Sequence, residues 1–62
     1  MQTFYYLTYE NAFVSEILSD NFKVSYEQSK RIVFEQKHIA IDFKKYLERI
    51  TGSKFEIKHF KK

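Results

Sequence analysis

The first strongly patterned stretch, Thr3 to Tyr9, is rich in aromatic and β-branched residues and reads as a strand. Strand alternation puts Phe4 and Tyr6 on one face and Tyr5, Leu7 and Tyr9 on the other. Both faces are bulky and apolar, and such a strand is usually covered on both sides. From Glu10 to Ser19 the pattern changes. Phe13, Val14, Ile17 and Leu18 fall at the spacing of one helix face, which predicts a short helix stopped by Asp20-Asn21. The tail from Lys54 to Phe60 alternates again, with Phe55, Ile57 and His59 facing one way and Lys54, Glu56 and Lys58 the other. This predicts a half-buried strand.

The stretch from Phe22 to Gly52 admits two readings. In one, Phe22–Tyr26 and Arg31–Glu35 form a hairpin followed by a helix from about His38, which gives the ferredoxin-like order βαββαβ. In the other, a single amphipathic helix runs from Tyr26 to Thr51. Ser25-Tyr26-Glu27-Gln28 has the form of a capping box, with the Ser25 hydroxyl on the amide of Gln28. Ile32, Val33, Ile39, Ala40, Phe43, Tyr46, Leu47 and Ile50 make one apolar stripe, interrupted only at Gln36. Lys44, Lys45 and Arg49 suit the negative end of a helix dipole, and Gly52 suits a left-handed cap. The hairpin would have to turn through Glu27-Gln28-Ser29-Lys30, without Gly, Asn, Asp or Pro. The long helix is the better fit. The expected fold is therefore a small α+β domain of order β-α-α-β, with a long helix over about 26–51 packed on a two-stranded sheet of paired terminal strands.

Composition narrows this picture. Sixty-two residues without Pro, low-complexity runs or repeats make one domain, 1–62, with no linker. A chain of this size buries only about 60% of its unfolded surface, so it needs a staple or unusually good packing. Cysteine is absent, which excludes disulfides and thiolate metal sites. Seven Phe and five Tyr supply large anchors instead. A marginal two-stranded sheet with an open edge also points to a homodimer. No stretch reaches about 18 apolar residues, and no secretory pattern opens the chain, so the expected location is cytoplasmic and no membrane partner is expected.

Charge is unevenly placed. Residues 1–20 carry Glu10, Glu16 and Asp20 and no Lys or Arg, while the rest holds all eleven basic and the remaining five acidic side chains. This asymmetry suggests an acidic partner, either a larger protein or a nucleic acid.

Candidate chemistry is sparse. His38 and Asp42 stand four apart, and a surface pair needs nothing more. Two ligands do not make a metal site, so no metal is expected. Thr51-Gly52-Ser53-Lys54 only superficially resembles a phosphate loop, because its glycine follows a helix instead of preceding one. No serine has an activating base in view, so neither an enzyme nor a cofactor is expected.

On the long helix Phe34 and Ile41 lie opposite the core stripe, flanked by Lys30, Lys37, His38, Lys44 and Lys45. That combination suggests a partner-binding line, apolar at its centre and basic at its rim. Lys54, Lys58, His59, Lys61 and Lys62 form a second, basic cluster around Phe60, suited to phosphate contact and base stacking.

The leading expectation is a small interaction protein that binds and modulates or inhibits a larger protein. The alternative is a basic nucleic-acid-binding transcriptional regulator. Phe, Tyr, Met, Ile, Asn and Lys make up 30 of the 62 residues, a skew typical of AT-rich coding sequences. Together with the small size, it fits an accessory factor of a phage or plasmid acting on a host regulatory or defence complex.

Overall fold

The computed structural model describes residues 1–62 as a four-stranded antiparallel sheet with one helix packed on it. In chain order the elements are β1 (Thr3–Tyr9), β2 (Ala12–Ile17), β3 (Phe22–Ser25), a 3-10 turn (Gln28–Lys30), α1 (Lys37–Thr51) and β4 (Glu56–Lys61). The spatial order of the strands is β3-β2-β1-β4. The class is α+β as expected, and the terminal strands pair along their length from Thr3↔Lys61 to Thr8↔Glu56. The order β-β-β-α-β replaces both β-α-α-β and the ferredoxin-like alternative.

The helix expected over Glu10 to Ser19 is strand β2. A two-residue turn, Glu10-Asn11, joins it to β1, with both residues in the left-handed region at φ 48° and 70°. That is the conformation of a type I′ hairpin turn, whose strong sequence signal is Asn-Gly or Asp-Gly, and Glu-Asn conceals it. The pairing with β3 then slips between Val14 and Glu16. The extra residue of this bulge, Ser15, turns Val14 and Ile17 toward the same side at a spacing of three. A bulged strand thereby imitates one turn of an amphipathic helix.

The long helix is also corrected: α1 begins at Lys37, eleven residues later than expected. The Ser25 hydroxyl accepts the amide of Glu27 (3.1 Å) in a local turn and caps no helix. Beyond the 3-10 turn the chain runs extended through the gap where β1 and β2 splay apart. The Ile32 amide donates to the Val14 carbonyl (3.0 Å), and Phe34 exchanges both backbone hydrogen bonds with Tyr5 (2.8 Å each). Ile32 packs against the core, Val33 is 42% exposed and Phe34 only 8% exposed. This inward, outward, inward sequence has a period of two, whereas an amphipathic helix requires about 3.6.

The core is Leu7, Val14, Phe34, Ala40, Leu47 and Phe55, ringed by Tyr5, Tyr9, Ile17, Phe22, Ile32, Tyr46, Ile50 and Ile57. Ala40 and Leu47 are wholly buried and mark the centre line of α1, while Ile39 (37%) and Phe43 (38%) remain exposed on one flank. Small Ala40 lets the helix approach the sheet, and Tyr9, Phe22 and Phe55 pack ring against ring beneath its far end.

Gly52 closes the helix at φ 73°, its amide on the Glu48 carbonyl (3.0 Å). The Glu48 carboxylate accepts the amide of Phe55 (3.0 Å) and pairs with Lys44 (3.0 Å), tying the helix end to the entry of β4. Those two contacts, the amide first, hold its carboxyl below the usual carboxylate range.

Candidate functional site

The sheet presents two unlike faces. Leu7, Val14, Ile57 and their neighbours point toward α1, and the opposite face has no α-helix over it, only the 3-10 turn along one side. On that face alternation and register gather Phe4 and Tyr6 from β1, Phe13 from β2 and Phe60 from β4. Phe4 and Phe60, directly opposite in the ladder, stack with centroids 5.4 Å apart and planes 25° apart. Tyr6 lies 6.1 Å from Phe60 and 5.6 Å from Phe13. All four rings are half-buried.

Arg31 completes the cluster. Its guanidinium sits 4.1 Å from the centre of the Phe60 ring and 4.7 Å from that of Tyr6. The 3-10 turn delivers it there, because the Arg31 amide closes the turn on the Gln28 carbonyl and Ile32 then dives between β1 and β2. A cation stacked on two aromatic faces gains from both ring quadrupoles, and the flat guanidinium does so while keeping its in-plane N–H groups free.

Four ion pairs occur in the chain, Glu16–Lys23, Glu27–Lys30, Lys44–Glu48 and Glu56–Lys58, and Arg31 takes part in none. Beside it runs a groove of about 530 Å³ lined by Phe4, Gln28, Ser29, Arg31, Val33, Phe60 and Lys62. Its lining side chains carry two positive charges and no negative one.

The residues singled out from sequence do not assemble as expected. Phe34 lies in the core with its ring 5.4 Å from that of Phe43, so the Phe34/Ile41 line does not exist. Ile41 is half-buried on α1, Lys30 pairs with Glu27 on the 3-10 turn, and Lys44 is engaged by Glu48. Lys37, His38 and Lys45 are exposed on α1, as is Asp42, and no ion pair joins His38 to Asp42.

The basic cluster at the C-terminus divides between faces. Lys58 and Lys62 share the helix-free side with Phe60, whereas His59 lies across from Tyr5 at 6.4 Å and Lys61 follows its parity. Lys54 lines a separate small hollow with Glu10, Asn11 and Glu56. Nothing local in the sequence distinguishes Arg31. The Phe4/Tyr6 face, by contrast, was readable from the alternation of β1.

No protein-family model matches the chain, and no curated protein or solved structure shows significant similarity to it. No helix is long and apolar enough to cross a membrane.

Proposed function

We propose that this chain is a small non-enzymatic binding protein that occupies and modulates the surface of a larger protein, meeting an acidic patch with its helix-free sheet face. Arg31 carries the reading. A guanidinium fixed on Tyr6 and Phe60, with no carboxylate of its own chain, has the residue types and the readiness of an interface hot spot. Lys58 and Lys62 supply a basic rim on the same side. An accessory role for a phage or plasmid, directed at a host regulatory or defence complex, is the setting proposed with it. Its support is the small size and AT-rich composition.

The second reading, a nucleic-acid-binding regulator, is favoured by one observation. Phe4, Tyr6, Phe13 and Phe60 stand on the open face of a four-stranded sheet, an arrangement on which unstacked bases can lie. It ranks second because Arg31 already covers Tyr6 and Phe60.

Capture from a host lysate with the tagged chain, with and without nuclease, separates the two. A protein retained after nuclease and at moderate salt fits the first reading. Capture that disappears with nuclease and falls steeply with salt replaces it with the second.

A further inference from the structure

We propose that the groove between the 3-10 turn and the β1–β4 ladder is a carboxylate-binding site. It takes an extended acidic segment of a protein partner, with an apolar side chain next to the carboxylate. The proposal rests on the reading of the chain as a protein-binding module and names what that module recognises.

Charge complementarity gives the first argument. Arg31 and Lys62 line the groove, no acidic side chain does, and none of the four ion pairs neutralises either cation. Preorganisation gives the second. The Arg31 guanidinium is held over Phe60 and Tyr6, so its donors are aimed before any ligand arrives and little rotamer freedom remains to be lost. No side-chain hydrogen bond within the chain uses those donors, which leaves the planar fork available to a carboxylate.

The shape gives the third. Phe4 and Phe60 offer an apolar wall, while Gln28 and Ser29 offer polar groups for a peptide backbone along the other side. At about 530 Å³ the groove is of pocket size, yet it is a surface trough, which suits a segment of chain better than an enclosed metabolite. A nucleotide fits less well, because the ring faces of Tyr6 and Phe60 on which its base would stack are taken by Arg31.

The test is a titration of the isotope-labelled chain, followed by amide NMR, with acetyl-Leu-Asp-Leu-amide and its counterpart acetyl-Leu-Asn-Leu-amide. The acidic peptide should give saturable shifts at Gln28, Ser29, Arg31 and Lys62, and the amide counterpart should bind about tenfold more weakly or worse. Arg31→Ala should lose binding by a similar factor while keeping a dispersed spectrum. Lys62→Ala, on an exposed side chain that the fold does not need, should weaken it severalfold.

Equal binding of the two peptides, shifts confined to other residues, or undiminished binding by both variants would overturn the site. A short oligothymidylate that moves these amides when the acidic peptide does not would overturn the ligand class. If a protein is captured from lysate equally well by Arg31→Ala and Lys62→Ala, the groove is refuted while the binding role stands.

Discussion

Phe34→Ala separates this fold from the long-helix alternative in one measurement. On a continuous helix Phe34 would project away from the core, and its loss would cost little. In the structure its ring is 8% exposed and packs on Phe43, between strands that part to admit it. Burial of a Phe side chain contributes about 1.5–3 kcal/mol by transfer alone. Tyr5 holds the backbone of Phe34 through two hydrogen bonds, so the site cannot collapse freely and a cavity cost adds to this. The total is about 3–5 kcal/mol.

A chain of 62 residues has about 3–9 kcal/mol of stability in all, so the variant should be largely unfolded or melt more than about 12 °C lower. Phe43→Ala, at a ring already 38% exposed, should cost less, about 1–2 kcal/mol. Val33→Ala, on the outward residue beside Phe34, should cost under about 1 kcal/mol. Thermal and urea melts of the three variants, followed by circular dichroism, decide the ranking. A Phe34→Ala melt indistinguishable from wild type, with Phe43→Ala strongly destabilised, would refute the crossing segment and restore the long helix.

Three further outcomes are expected. Gln36 starts α1 with no side-chain cap and no acid in the first turn, so Gln36→Asp should raise stability by about 1 kcal/mol in the same melts. The Glu48 carboxyl is held below its ordinary range, so its stabilisation is present above the unfolded-state value and is lost as pH falls through the folded one. Glu48→Gln should accordingly be less stable at neutral pH and converge with wild type in acid, and a gap that persists at low pH would contradict the assignment. One copy supplies all four strands, which removes the two-stranded-sheet argument for a homodimer and leaves only guarded edges such as β4, with Lys58 and Lys61. Sedimentation equilibrium at micromolar protein should read 7.6 kDa, and twice that mass would contradict the expected monomer.

Some features were legible in the chain by itself because their causes are local. The period-two aromatic run of β1, the alternation of β4 and the glycine that ends α1 depend on neighbouring residues and backbone sterics alone. β1 and Gly52 lie where the pattern puts them, while β4 starts at Glu56, two residues after Lys54, and ends at Lys61, one after Phe60. The identity of β2 was not legible. Its turn uses Glu10-Asn11 in place of a strong hairpin pair, and the bulge at Ser15 gives it the apolar spacing of a helix.

The stretch 26–36 is deceptive for a related reason. Ile32 and Val33 extend the α1 stripe by coincidence of spacing, and only Phe34, apolar and off the stripe, signalled a change of period. What settles that stretch is distant. Val14 and Tyr5 offer unpaired backbone groups in the gap between β1 and β2, and buried backbone polar groups must find partners. Filling that gap sends Phe34 inward and leaves Arg31 outward on Phe60 and Tyr6. The candidate site is thus a product of tertiary structure, because the residues that compose it are brought together by a strand register and a crossing that no local pattern encodes.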